Sequence, residues 1–289
     1  MLSGGGSLGA VQVGMMRAIV ERGHTPDLLV GTSVGALNAA YLAGDPSLAG
    51  VERLAHVWTR VRRTDVFPTP RASAISAVTG RRNYLLSNAP MRHLIERNLS
   101  YTNLEDAPVP VTVIAAEVAT GFEVALSRGP AVDAVLASAA LPGIFPTIQI
   151  GAHLLMDGGV VNNTAISIAI EAGADRVFVL PTGYACALSQ PPQSVLGMVL
   201  HAFTFAIQRR LILEIAALQD RVELRVAPPI CPLDISPMEF RRSDELMQRA
   251  YAATQRWLDQ PPAPDQTRHL AFHRHSRTSH AREAPTGDD

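Results

Sequence analysis

Three short runs of glycine around reactive side chains organise this sequence. Gly31-Thr32-Ser33-Val34-Gly35 fits the pattern GxSxG, with the apolar residues 28–30 before it and a small-residue helical stretch, 36–43, after it. In that setting the serine occupies a sharp strand-to-helix turn that pushes its hydroxyl clear of the backbone. The flanking glycines permit the turn, and the helix start brings the positive end of a dipole to any negative charge that develops there. Gly4-Gly5-Gly6-Ser7-Leu8-Gly9 fits GxGxxG, a spacing shared with dinucleotide-binding turns. A dinucleotide site wants an acid at the end of the second strand, but Asp27 precedes residues 28–30 and the strand runs into the serine turn. Successive glycine N–H groups at a helix start also form an anion-binding nest, which acyl transfer needs for its tetrahedral oxyanion. The loop at Gly4, Gly5 and Gly6 is therefore expected to be an oxyanion hole. The third run is Asp157-Gly158-Gly159, after the apolar residues 154–156.

An activated serine needs a base, and in most hydrolases that base is histidine. Of the nine histidines, His24, His56, His93 and His201 fall in or beside helical stretches, and His273, His275 and His280 fall in a polar tail. His153 and His269 are left as weaker candidates. Asp157 follows a strand and precedes two glycines that let another loop approach closely. The residues thus point to Asp157 as the acceptor of the Ser33 proton. No metal or cofactor is required, and the tail histidines are read as solvated.

The elements that must position these groups alternate along the chain. Helical periodicity covers 10–22 and closes at Gly23; strands are expected at 28–30, 111–116, 121–127, 154–156 and 176–180. Helices are expected at 36–43, 131–140, 165–172, 194–219 and 243–258. That alternation implies an α/β fold with a mostly parallel sheet covered on both faces. Residues 48–99, with Arg60, Arg62, Arg63, Arg71, Arg81 and Arg82 among proline and serine, read as helices and loops outside the sheet that face the substrate. Past Pro261-Pro262-Ala263-Pro264 apolar residues thin out, so 1–258 is expected to be one folded domain and 259–289 a disordered His/Arg-rich tail.

Taken in order and approximate spacing, Gly4 to Gly9, Gly31 to Gly35 and Asp157-Gly158-Gly159 resemble the motifs of patatin-like phospholipases. The block Ala137-Ser138-Ala139-Ala140-Leu141-Pro142-Gly143-Ile144-Phe145-Pro146 is similar to the one preceding the family's aspartate. The resemblance spans roughly residues 1–180. It implies a three-layer α/β/α domain, a Ser33–Asp157 dyad, an oxyanion hole at Gly4, Gly5 and Gly6, and hydrolysis of lipid acyl esters. Two departures accompany it. Leu8 stands where members often carry a basic residue, and only Met1, Leu2 and Ser3 precede the glycine loop, so the first strand is stunted or starts upstream. The rival readings are a transacylase, which would want a histidine base, and a catalytically silent membrane-associated module of the same fold.

Composition narrows the field. The 25 basic and 26 acidic residues give a net charge of −1, which excludes a broad basic field for nucleic acid. Cys186 and Cys231 have no zinc or disulfide-framework spacing and are read as reduced. No signal peptide opens the chain and the apolar stretch 195–207 is short of the roughly 20 residues that cross a bilayer. A cytoplasmic location is expected, with transient contact between a lipid surface and residues 60–100 and the helix from Ser194.

Overall fold

Apolar residues alternate along the strands with period two, and that alternation sorts them onto two faces of one sheet. The protein is described by a computed structural model that covers residues 1–69, 83–184, 186–188, 190–267 and 270. In β1 (Leu29–Thr32), Leu29 packs into one apolar core and Val30 into another. In β2 (Val111–Glu117), Val113 and Ile114 divide in the same way. The first core is roofed by α1 (Gly9–Glu21), α2 (Val34–Gly44), α3 (Leu48–Arg60), the short α4 (Arg63–Val66), α5 (Ala89–Asn98), α6 (Ala131–Ser138) and, from the end of the domain, α9 (Ser243–Leu258). The second core lies under α7 (Ile166–Glu171) and α8 (Val195–Leu218). The result is the three-layer α/β/α arrangement expected from the alternation.

Five neighbouring strand segments run parallel. β7 (Glu223–Val226) pairs with β6 (Arg176–Val179), Leu2 bridges Leu180 on one side and Gly31 on the other, and β1 pairs with β2. Leu2 is thus a single bridging residue between the end of β6 and β1. The remaining pairings are antiparallel: β3 (Glu123–Leu126) takes the outer edge of β2, β5 (His153–Asp157) continues on the edge that β1 leaves, and β4 (Ile148–Ile150) pairs with β5.

The segment expected to leave the domain at residue 259 stays docked further than that. Gln266 is buried and its Oε1 accepts a 3.0 Å hydrogen bond from Val226 N, while Gln208 Nε2 donates to the carbonyl of buried Leu270 at 2.8 Å. β7 has one strand neighbour, so its outer N–H needs a partner, and Gln266 supplies it. Contacts with the domain thus extend to Gln266 and Leu270; His269, His273, His275 and His280 lie outside the described residues, as do Arg71, Arg81 and Arg82. Cys186 and Cys231 are not joined in a disulfide, and their Sγ atoms lie 3.5 Å apart. Among the described residues no helix is long and apolar enough to cross a membrane.

Candidate active site

The register of β2 brings Ser33 and Asp157 together. Val113 and Ile114 pair with β1 on one edge of β2 and with β3 on the other. At Ala115 the β3 edge continues, but the opposite edge changes hands: β1 has ended at Thr32, opposite Ile114, and Asp157 of β5 lies opposite Ala115. A parallel strand and an antiparallel strand thus meet end to end on one edge, so the residue after Thr32 faces the last residue of β5. Ser33 Oγ donates to Asp157 Oδ2 at 2.7 Å.

The turn that carries Ser33 is strained and clamped. Ser33 has φ 55° and ψ −123° and is the one non-glycine residue with positive φ among those described, a conformation costing on the order of 1–3 kcal/mol. Ser138, fully buried, holds it: Ser33 N donates to Ser138 Oγ at 2.8 Å, and Ser138 Oγ donates to the Ile114 carbonyl at 2.5 Å. From the far side Ala36 N donates to the Ser33 carbonyl at 2.9 Å as α2 begins. A Cβ on Gly35 would overlap the Leu2 carbonyl, so only glycine lets α2 start this close to the first strand.

Asp157 is 1% exposed, and its two oxygens are divided between two donors. Oδ2 takes Ser33 and Oδ1 takes the N–H of Gly159 at 2.8 Å. Burial outweighs those two bonds and pushes its carboxyl from 3.8 up to about 6. Gly158 sets the backbone against β2 at Ile114.

The glycine loop lies across the pocket from this pair. Gly5 and Gly6 line the same pocket as Ser33 and Asp157, and among the described residues no acceptor takes their N–H groups. Gly4 is a correction to the sequence expectation. Its N–H donates to Asn163 Oδ1 at 3.2 Å, Asn163 Nδ2 returns a bond to its carbonyl at 3.4 Å, and Thr182 Oγ1 donates to that carbonyl at 2.8 Å. Gly4 is thus an anchor of the loop and has no N–H left for a ligand. A Cβ there would stand 2.5 Å from Asn163 Oδ1 and 2.9 Å from Ser33 Cβ, so the loop's closeness to the serine depends on glycine at this position. Gly9 begins α1 beneath Val34 and Trp58, and Gly31, next to last in β1, lies against the backbone of Gly35 and Ala36 under the turn.

Ser138, Asn163 and Thr182 were not singled out from sequence; each acts on a partner more than 100 residues away. The buried Gln12 is a fourth, donating through Nε2 to the Ser3 and Leu180 carbonyls at 2.8 and 2.9 Å and so fixing the strand from which the loop departs. No histidine lines the pocket among the described residues. His153 sits at the opposite end of β5, exposed and 2.8 Å from Glu117.

The family model for patatin-like phospholipases matches residues 1–170. The chain belongs to that family. It is 29% identical over 185 residues to rat patatin-like phospholipase domain-containing protein 7, and 26% identical over 185 residues to the Drosophila melanogaster neuropathy target esterase sws. Each match takes in 63% of this chain and 13% of the relative, so this chain corresponds to a small part of those proteins. The crystal structure of VipD from Legionella pneumophila superposes on 89% of this chain and 66% of its own with a TM-score of 0.46 and 14% identity.

Proposed function

We propose that this chain hydrolyses carboxylic esters of lipids through a two-step acyl transfer in which Ser33 is the nucleophile and Asp157 its base. The observation that carries the reading is the 2.7 Å bond from Ser33 Oγ to Asp157 Oδ2 at the end of an apolar pocket. As Ser33 Oγ attacks the ester carbonyl, its proton passes to Asp157 Oδ2, and the N–H groups of Gly5 and Gly6 take the oxyanion. Collapse of the tetrahedral intermediate breaks the ester C–O bond, and the proton on Asp157 goes to the departing alkoxide. Water then attacks the acyl-serine, gives its proton to Asp157, and the fatty acid leaves as Ser33 recovers that proton. A carboxylate raised to about 6 holds a proton better than an ordinary aspartate, which favours it as a base near neutral pH. Family membership supports a lipid ester as the substrate class.

The reading includes transient contact with a lipid surface. α8 turns Leu200, Phe203 and Ile207 into the pocket, while Val195 (84% exposed), Met198 and Val199 on the same helix face outward. Exposed apolar residues on a helix that also lines the pocket suit a membrane or micelle. The catalytic part is tested by ester hydrolysis with Ser33→Ala and Asp157→Asn, each expected to lose at least about 100-fold in kcat/KM; full turnover by either folded variant overturns it. Co-sedimentation with vesicles, with and without anionic lipid, tests the surface contact, and absence of binding under both conditions removes it.

A further inference from the structure

Three helices each present one face to the pocket at the spacing of helical turns. On α2 the face is Val34, Leu37, Asn38 and Tyr41. On α3 it is Leu54, Val57, Trp58 and Val61, the last capping the helix. On α5 it is Met91, Leu94, Ile95 and Asn98. Each face covers seven residue steps, about 10 Å of helix.

The interior of this channel is apolar even where its residues are not. Asn38 spends Nδ2 on the Gly9 carbonyl and Gln12 Oε1, at 3.0 and 2.8 Å, and its Oδ1 accepts from Trp58 Nε1 at 2.9 Å. No arginine, lysine or glutamate lines it among the described residues, so nothing in it would hold a phosphate or a charged head group.

The channel has two distinct ends. One is Ser33 with Gly5, Gly6 and Asp157. The other is lined by Tyr41, Asn98 and Leu99 toward the C-terminal part of α2, where the chain just past α5 is tied to α2 by the Tyr101 hydroxyl, which donates to the Ala40 carbonyl at 2.6 Å. Tyr41 lies eight residue steps, about 12 Å, along α2 from Ser33.

From this arrangement we propose that the channel is an acyl-chain ruler: it takes the fatty acyl group of the ester, leaves the alcohol outside, and selects chains of about ten carbons by ending at Tyr41, Asn98 and Leu99. The length follows from geometry. Carbon–carbon bonds of about 1.5 Å advance an extended chain by about 1.25 Å each, so about 12 Å holds about nine carbons beyond the carbonyl. The ruler rests on the proposed acyl transfer at Ser33 for its use in turnover, and its fit to a chain can be read separately.

The test has two arms. In the first, the wild-type protein is assayed with soluble p-nitrophenyl esters from butyrate to palmitate. The ruler predicts that kcat/KM climbs roughly fourfold per methylene, peaks near decanoate and falls by palmitate. Leu94→Trp fills the channel one helical turn short of Asn98 and is expected to move the peak down by about four carbons, lowering the decanoate-to-butyrate ratio at least tenfold; Leu37→Phe serves as a second plug if Leu94→Trp does not fold. Tyr41→Ala moves the peak upward. In the second arm, Trp58 fluorescence reports binding of octanoate, decanoate and palmitate to the Ser33→Ala protein, which needs no catalysis. A profile still rising at palmitate, or length ratios unmoved by both plugs, overturns the ruler. Length-selective binding in a protein whose wild type hydrolyses no ester would keep the ruler and sink the serine chemistry.

Discussion

Replacing Asp157 by asparagine is expected to stabilise the fold while removing the activity. Asp157 is almost completely buried, and burial lifts its carboxyl from 3.8 to about 6. At about 1.4 kcal/mol per factor of ten, that difference of about 2 corresponds to about 3 kcal/mol spent on keeping the group ionised in the folded protein. The folded-state value is the higher one, so the cost is absent below about pH 4, grows as pH rises through 6 and is fully present at pH 8. Asparagine carries no charge and can keep both contacts, accepting from Gly159 N and donating to Ser33 Oγ, the two partners that Asp157 has. With about 2 °C of melting temperature per kcal/mol in a domain of this size, Asp157→Asn should melt about 6 °C above wild type at pH 8 and level with it near pH 4. Differential scanning fluorimetry across that range reads the gap, and ester hydrolysis at pH 8 reads the loss of turnover. A variant no more stable than wild type at pH 8, or a gap that does not shrink toward pH 4, refutes the assignment of Asp157 as a buried charge kept for chemistry.

Three other outcomes follow from the same geometry. The kcat/KM of the wild type should rise with pH through a single ionisation near 6, the value to which burial brings Asp157, and then level off; a profile without that step contradicts an aspartate base. Ser138→Ala removes the clamp between the Ser33 N–H and the Ile114 carbonyl, so urea titration should show about 1–3 kcal/mol less stability and kcat/KM should fall at least tenfold, whereas unchanged kinetics would mean that the turn holds itself. Gly4→Ala drives a Cβ against Asn163 Oδ1 and Ser33 Cβ, and steady-state hydrolysis should drop by about 100-fold or more in a protein whose circular dichroism is unaltered; near-normal turnover would dismiss the loop's close approach as a requirement.

What the sequence disclosed was local, and what it withheld was long-range. Ser33 and Asp157 are legible because one follows and the other ends an apolar strand, and glycine comes close after each. Gly4 was assigned the wrong task because the acceptor for its N–H, Asn163, lies 159 residues further on. Ser138 is one small residue in a small-residue helix, and nothing in its neighbours tells that its hydroxyl sits between β1 and β2. The channel faces of α3 and α5 have the spacing of any buried helix face, and sequence cannot separate a face packed on protein from one lining space. β4 and β7, at three and four residues with polar positions interleaved, fall below the length at which periodicity speaks. Gln266 and Leu270 dock beyond a proline-rich stretch that reads as an exit from the domain.

The central claim, that the structure activates one serine through one aspartate, is tested most directly by a fluorophosphonate probe with the labelled peptide identified by mass spectrometry. The account predicts covalent labelling of wild type at Ser33, none of Ser33→Ala, and labelling of Asp157→Asn slowed by about 100-fold or more. A folded wild-type protein that stays unlabelled, or an Asp157→Asn variant labelled as fast as wild type, would contradict it.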